Sequence, residues 1–159
     1  MASSPLIGVF PGSFDPITLG HEDIVRRSLS IFDEVVVAIG TNSQKNYFFT
    51  IENRVKMIEK VFENCPNVRV DTFTGLTVDY CKKVGAKHII RGLRTSADFE
   101  FERAIGQMNK AMHPDLETLF WLTIPELSAI NSTIIRDIIK NGGDVSAFIP
   151  KGLKLEEFR

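Results

Sequence analysis

The sequence predicts an α/β fold built on a doubly wound, five-stranded parallel sheet. Short apolar segments rich in β-branched residues alternate along the chain with segments of helical periodicity. Gly, Pro, Asn or Thr residues bound most of these segments, as between the elements of βαβ units. The length of 159 residues suits one domain, which we place at 1–159.

Five segments have the length and composition of buried strands. Runs that are apolar on both faces indicate a parallel sheet covered by helices on both sides, and such sheets bind ligands beyond the carboxyl ends of their strands. The predicted strands are Leu6–Phe10, Glu34–Gly40, Val68–Phe73, His88–Ile90 and Glu117–Leu122.

Five segments are predicted to be helical. The first is expected to bury Ile24, Ser28, Ile31 and Phe32, and the last to turn Ile134, Ile135, Ile138 and Ile139 inward, although its β-branched run equally suits a strand. The capping residues Thr50 and Gly85 and the capping-box sequence Thr95-Ser96-Ala97-Asp98 mark helix ends. The predicted helices are Leu19–Phe32, Ile51–Asn64, Val78–Val84, a fourth running from the capping box to Met112, and Ser132–Lys140.

Composition restricts the classes of partner. Nineteen basic and 20 acidic residues give a net charge of −1, so the molecule as a whole does not attract polyanions, and phosphate chemistry needs locally placed cations. Cys65 and Cys81 are too few for a disulfide framework and are expected to be buried, reduced thiols. The amino-terminal segment has neither the basic leader nor the long apolar run of a signal or anchor, so we expect a cytoplasmic protein that binds neither membranes nor nucleic acid.

Polar residues concentrate where the first strand meets the first helix. The segment Pro11–His21 places glycines, hydroxyls and a histidine around a helix N-terminus, where free N–H groups and the helix dipole favour an anion. At Gly20 a phosphate or an adenine ring can approach the backbone closely. The alternative is an ordinary turn, with Thr18 as the N-cap and His21 as an exposed residue of the first helical turn.

Four motifs in this chain resemble those of one enzyme family in the same order. The string Gly-Ser-Phe-Asp-Pro-Ile-Thr-Leu-Gly-His resembles the (T/H)-x-G-H signature of the nucleotidylyltransferase superfamily, and its first half is similar to the bacterial phosphopantetheine adenylyltransferase family. The segments 42–45, 90–100 and 130–133 resemble that family's lysine loop, its IRGLR…ADFE stretch and its I-S-S-(S/T) helix start. The resemblance covers about residues 6–150 and implies a Rossmann-like nucleotidylyltransferase fold.

The resemblance implies adenylyl transfer from ATP to 4′-phosphopantetheine, giving dephospho-coenzyme A and pyrophosphate. The attacking phosphate oxygen is already ionised, so catalysis amounts to positioning and charge stabilisation without a side-chain nucleophile. His21 is implied at the α-phosphate, and Ser13, Lys45 and Arg91 at the acceptor phosphate; these four are the implied catalytic residues. Thr77 is implied beside the pantetheine arm.

The family's nucleotide site also maps onto this sequence. A magnesium ion is implied on the triphosphate, with ATP supplying most of its ligands. Ser13 stands where Thr is frequent, Leu127 where many members have Trp, and Asn131 replaces the first Ser of the helix start. The implied nucleotide-binding residues are Ser13, Phe14, His21, Gly92, Leu93, Arg94, Glu102, Leu127, Ser128, Ala129, Ile130, Asn131, Ser132 and Thr133.

The family further implies a homohexamer and feedback inhibition by coenzyme A. We expect Phe48, Phe49, Phe99 and Phe101 to be core or subunit-contact aromatics, and Trp121 to be core. Neither His88 nor His113 has partners at metal-ligand spacing. The alternatives are a transferase of the same fold that activates nicotinamide mononucleotide or a glycerol-type phosphate, a non-catalytic nucleotide-binding module, and an RNA-binding relative of class I synthetase domains.

Overall fold

Five parallel strands form one sheet in the order β3-β2-β1-β4-β5 in the computed structural model, which describes residues 2–159. This arrangement confirms the predicted fold class. The strands are β1 (Ile7–Gly12), β2 (Glu34–Thr41), β3 (Val68–Thr74), β4 (His88–Leu93) and β5 (Glu117–Leu122). The α-helices are α1 (Leu19–Ser28), α2 (Ile51–Val61), α3 (Thr77–Val84), α4 (Ser96–Met112) and α5 (Ser132–Lys140), with short 3₁₀ helices at Pro125–Leu127 and Leu155–Phe158.

Alternate residues of the central strands feed two hydrophobic cores, one on each face of the sheet. Val35 and Val37 of β2 pack with α1, α2, α5 and the C-terminal segment, whereas Val36 packs with α3. Ile89 of β4 lies in the second core, and Arg91, two residues on, meets Glu102 of α4. The sheet is therefore covered on both sides, and the order of its strands reverses beside β1, where an open α/β sheet binds ligands.

Several predicted boundaries were wrong. Helix α1 ends at Ser28 rather than Phe32, because the chain turns at Ser30, whose hydroxyl donates to the Arg27 carbonyl, and Ile31 is 48% exposed instead of buried. Helix α2 ends at Val61, not at residue 64. Strands β1, β2 and β3 reach further than predicted, with β1 starting at residue 7, and β4 continues past residue 90 to Leu93. Arg91, Gly92 and Leu93, which follow the predicted end of this strand, therefore lie within it, and Arg94 comes directly after it.

Other predictions about caps and burial had mixed outcomes. Thr50 caps α2 and Gly85 ends α3 in the left-handed conformation, as predicted. Thr95 caps α4, but its capping box is incomplete because the Asp98 carboxylate accepts the N–H of Arg94 instead. The segment Ser132–Lys140, whose β-branched run also suited a strand, forms the helix α5.

The predicted burial of single side chains was also only partly right. Ile135 and Ile139 of α5 are buried, whereas Ile134 is 52% exposed. Cys81 is buried, and burial raises the pKa of its thiol to about 11; Cys65 is only half-buried. Trp121 is half-buried beneath the Arg27 guanidinium, 5.0 Å from its ring centre.

Helix α4 carries an uncovered row of large apolar side chains. Phe101, Ile105, Met108 and Met112 recur at intervals of four, three and four residues, so they share one face of the helix. All four are exposed, Phe101 by 67% and Met108 by 64%.

Within residues 2–159 no helix combines the length and apolarity needed to cross a membrane.

Candidate active site

A cleft of about 450 Å³ lies beyond the carboxyl ends of β1 and β4. The β1–α1 loop, the β2–α2 loop, the end of β4 and the start of α5 contribute to its walls. Of the residues predicted for the site, it brings together Ser13, Phe14, His21, Lys45, Arg91, Gly92, Arg94, Glu102, Leu127, Ile130, Asn131, Ser132 and Thr133.

Three residues predicted for the nucleotide site do not line this cleft. Leu93 is the last residue of β4 and its side chain is buried. The Ser128 hydroxyl donates to the Pro125 carbonyl within the turn after the 3₁₀ helix, and Ala129 is exposed beside it. These predictions followed the motif's continuity along the chain, whereas the turn directs only some of its residues toward the cleft.

A second cavity, of about 350 Å³, adjoins the cleft. Both are lined by Ser13, Lys45, Arg91 and Glu102, so these side chains stand where the two spaces meet. Thr77, the first residue of α3, lines only the second cavity, together with apolar side chains that include Phe73, Ile89 and Ile105. The joint space is therefore cationic at its centre and largely apolar along one arm.

His21 is fixed by the cap of its own helix. The Thr18 side chain accepts the N–H of His21, and the imidazole Nδ1 accepts the N–H of Thr18 at 3.0 Å, which completes a reciprocal capping arrangement. Because Nδ1 accepts a hydrogen bond, the neutral ring carries its proton on Nε2. The alternative of an exposed first-turn histidine is wrong, since the ring is half-buried, with its centre 4.9 Å from that of Phe14.

The imidazole is neutral at physiological pH. Desolvation by the surrounding protein, followed by the positive charges of Arg91 and Arg94, lowers the pKa of His21 to about 4. At Gly20, one residue earlier, the backbone carries no side chain; apart from its chain neighbours, an added Cβ atom would meet only Thr18 Oγ1, at 3.5 Å. The first turn of α1 therefore presents a neutral N–H donor and an accessible backbone.

The β1–α1 loop owes its shape to Phe14 and Asp15. Phe14 adopts a positive φ of 48°, which is unfavourable for a residue with a side chain, and its buried ring, packed at 5.4 Å against Phe10, holds it there. The Asp15 carboxylate is 3% exposed and accepts the backbone N–H groups of Phe48 and Phe49, both at 2.8 Å. The β1–α1 loop is thus bonded to the β2–α2 loop that carries Lys45.

Both arginines of the IRGLR segment have a carboxylate partner. Arg91 binds both Glu102 oxygens, through Nε at 2.9 Å and Nη2 at 2.6 Å, and donates from Nη1 to the Pro11 carbonyl. Arg94 donates from Nε to Asp98 at 3.2 Å. Glu102, predicted at the nucleotide site, therefore contacts the guanidinium of Arg91 and is itself only 8% exposed.

The start of α5 faces the same cleft. Asn131 caps the helix through its side chain, which accepts the N–H of Ile134. The Ser132 hydroxyl donates to the Pro16 carbonyl at 2.8 Å, so it ties the helix to the β1–α1 loop. Ser132 is therefore available to a phosphate through its backbone N–H, as is Thr133, rather than through a hydroxyl proton.

The sequence reasoning did not assign roles to three residues in or beside the site, namely Asp15, Arg54 and Arg136. Arg136 lines the cleft and donates from Nη1 to the Asp15 carbonyl at 2.8 Å. Arg54 of α2 is 2% exposed and donates to the carbonyls of Ser13 and Phe49. Helical spacing from Ser132 could have located Arg136, since residues four apart share a face; nothing in the sequence marks Asp15 or Arg54 as loop contacts.

The match to known proteins covers nearly the whole chain. The cytidylyltransferase-like family model matches residues 9–138. The phosphopantetheine adenylyltransferase of Cytophaga hutchinsonii is 55% identical over 144 residues, covering 91% of this chain and 96% of the relative. The chain belongs to the phosphopantetheine adenylyltransferase family. Another member, from Flavobacterium psychrophilum, is 49% identical over 148 residues, with 93% and 97% of the two chains covered.

A solved structure outside the family shares the fold. The bifunctional NMN adenylyltransferase/ADP ribose pyrophosphatase of Francisella tularensis superposes with a TM-score of 0.72 at 17% identity, over 96% of this chain and 46% of that one. This chain therefore has the Rossmann-like nucleotidylyltransferase architecture predicted from its sequence. Among residues 2–159 no three His, Cys, Asp or Glu side chains are grouped as a metal site.

Proposed function

We propose that this protein transfers the adenylyl group of ATP to 4′-phosphopantetheine, releasing pyrophosphate and forming dephospho-coenzyme A. The observation that carries the proposal is the gathering of Ser13, His21, Lys45, Arg91 and Arg94 around one cleft in a member of this family. Two anions that repel one another must be brought into line for the displacement, and the cations Lys45, Arg91 and Arg94 supply the compensating charge.

His21 acts on the α-phosphate in this proposal. Its Nε2–H is a neutral donor that is held in place by the Thr18 contact to Nδ1, so it needs no reorientation as negative charge develops. The open backbone at Gly20 lets the phosphate approach the first turn of α1. Losing one such preorganised donor typically costs about 100–1,000-fold in rate.

The acceptor phosphate belongs where the two cavities meet. Ser13, Lys45 and Arg91 line both of them, so a phosphate held there would place the attached pantetheine arm in the second cavity beside Thr77. The apolar side chains of that cavity suit the arm's methyl and methylene groups. In-line attack then proceeds from this junction toward His21.

In this proposal Arg94, Arg136 and the free N–H groups of Ser132 and Thr133 bind the β- and γ-phosphates. Magnesium is expected to arrive with ATP, since the Asp15, Asp98 and Glu102 carboxylates near the cleft are already engaged by N–H donors. The metal belongs to the substrate and neutralises part of the triphosphate charge.

The apolar row on α4 supports self-association. A face with Phe101, Ile105, Met108 and Met112 uncovered is typical of a surface that is buried between subunits. We propose that this row lies in a subunit contact of the implied homohexamer. We also propose that the enzyme acts in the cytoplasm and is inhibited by coenzyme A, the downstream product. Cys65 and Cys81 are free thiols, as is usual for cytoplasmic proteins.

The test is pyrophosphate release that depends on both ATP and 4′-phosphopantetheine. We expect His21→Ala to lower kcat by at least about 100-fold while ATP binding weakens only modestly, because the lost donor acts mainly in the transition state. His113→Ala is the matched control, since His113 lies at the far end of α4 and should leave kcat unchanged. Turnover of nicotinamide mononucleotide but not phosphopantetheine would reassign the substrate, and full activity of the His21 variant would contradict a catalytic cleft.

A further inference from the structure

The lysine that faces the acceptor phosphate lies in a loop with little support of its own. The β2–α2 loop spans residues 42–50 without regular secondary structure, and Lys45 is exposed. Its local bonds, from the N–H of Lys45 to the Asn42 carbonyl and from the N–H of Gln44 to the Asn42 side chain, form a turn within the loop. These bonds shape the loop but do not set its position relative to the cleft.

Asp15 connects that loop to the rest of the site. Each of its carboxylate oxygens accepts one N–H, Oδ2 from Phe48 and Oδ1 from Phe49. Phe48 follows Lys45 by three residues, and at about 3.5 Å per residue this fixes the lysine backbone within roughly 10 Å of the contact. A side chain with a single acceptor oxygen cannot reproduce these two separate bonds.

A second buried residue supports the same connection. The Arg54 guanidinium donates to Ser13 of the β1–α1 loop and to Phe49 of the β2–α2 loop, and lies 4.0 Å from the Tyr47 ring centre. Asp15 and Arg54 are 3% and 2% exposed, and burying two charged groups is costly unless they are well bonded. Their bonds converge on the two loops that carry Ser13 and Lys45.

We propose that Asp15 is a positioning residue for the acceptor side of the reaction. Its carboxylate holds the β2–α2 loop so that Lys45 faces the junction of the two cavities, and Arg54 reinforces this arrangement from α2. The inference rests on the proposed function, because it assigns Lys45 to the acceptor phosphate.

The main test uses Asp15→Asn, which leaves one acceptor oxygen and points an amide NH₂ at a backbone N–H. We expect the KM for 4′-phosphopantetheine to rise about tenfold, as small misplacements of binding groups do, while the KM for ATP stays within about twofold. The matched control is Asp33→Asn: Asp33 also accepts a backbone N–H, that of Leu6 at 2.7 Å, but at the opposite end of β1. This control should leave both KM values unchanged.

A double-mutant cycle decides whether Asp15 acts through Lys45. In a Lys45→Ala background, Asp15→Asn should change the acceptor KM by less than about twofold, because the group being positioned is already absent. A tenfold effect that persists in that background, or an equal rise in both KM values, would overturn the proposal. Should the Asp15 variant fail to fold, Arg54→Lys is measured in the same way, since a lysine has one nitrogen in place of the two, Nε and Nη1, that reach the Phe49 and Ser13 carbonyls.

A measurement without substrate separates this inference from the proposed function. Hydrogen exchange followed by NMR should show the Phe48 and Phe49 amides protected in the wild type and at least one of them exposed in Asp15→Asn, with α1 and α5 unchanged. If the wild type does not turn over ATP and phosphopantetheine, the proposed function is refuted, but the positioning role of Asp15 is not. Equal protection of these amides in both proteins would refute the positioning role, whatever the substrate.

Discussion

The depressed pKa of His21 predicts how stability depends on pH. In the unfolded chain the imidazole has its ordinary pKa of about 6.5, whereas in the folded protein the pKa is about 4. Above pH 6.5 the ring is neutral in both states and contributes nothing to the slope. Below pH 6.5 the His21 imidazole binds a proton in the unfolded chain but not in the folded protein. The free energy of unfolding therefore falls as the pH falls toward 4.

The magnitude follows from the two pKa values. Each unit of difference corresponds to about 1.4 kcal/mol, so His21 lowers the free energy of unfolding by roughly 1 kcal/mol at pH 5.5 and by roughly 2–3 kcal/mol at pH 4.5. The comparison variant is His21→Asn, whose amide oxygen can accept the Thr18 N–H in place of Nδ1 and does not titrate.

The assay is urea unfolding of both proteins at equal concentration between pH 7.5 and 4.5. Groups other than His21 titrate in both proteins and cancel in the difference between their free energies of unfolding. We expect the free energy of unfolding of the variant, relative to that of the wild type, to rise by roughly 2–3 kcal/mol as the pH falls from 7.5 to 4.5. A pH-independent difference, or a wild type that gains stability in acid, would refute the assignment of a neutral, desolvated imidazole.

Two further predictions concern a cap and a surface. Thr18→Val removes the oxygen that accepts the His21 N–H, and should lower the free energy of unfolding by about 1 kcal/mol, measured by urea unfolding; an unchanged value would mean that the cap carries no stability. Met108→Glu places one negative charge in the apolar row of α4 and should shift sedimentation toward smaller species without unfolding the protein. Gln107→Glu is the matched control, since it adds the same charge to an exposed position of α4 outside the row, beside Arg103; equal dissociation by both would argue against this face.

The sequence predicted the architecture well because its signals were local. Thr50 and Gly85 have cap chemistry that fixes a helix end regardless of what packs on it, and both predicted ends are confirmed. The end of α1 was wrong because a competing bond from the Ser30 hydroxyl turns the chain, a choice that periodicity does not reveal.

The exposure of Ile134 shows a limit of helical periodicity. At about 100° per residue, the four isoleucines of α5 span an arc of about 140°, with Ile134 at one edge and Ile139 at the other. The core lies toward Ile135 and Ile139, which are buried, so the far edge of the arc faces outward. The sequence defines the apolar arc, but tertiary packing decides which part of it is covered.

The candidate site divides in the same way. Ser13, His21, Lys45 and Arg91 lie in recognisable motifs, and the structure brings them to one cleft. Their supporting contacts join residues far apart in the chain, such as the bond from Phe49 to Asp15, 34 residues earlier. No local pattern encodes such a pairing, so the supporting residues became visible only with the fold.

The pairing of Arg91 with Glu102 explains how a cation can be fixed in advance and still bind substrate. A guanidinium has five N–H donors in a rigid plane, and Arg91 uses three of them, two for Glu102 and one for Pro11. The remaining two can reach a phosphate without breaking the ion pair. A lysine held by a carboxylate would have neither this planar geometry nor the same number of donors, so Arg91→Lys would keep the charge and lose the arrangement.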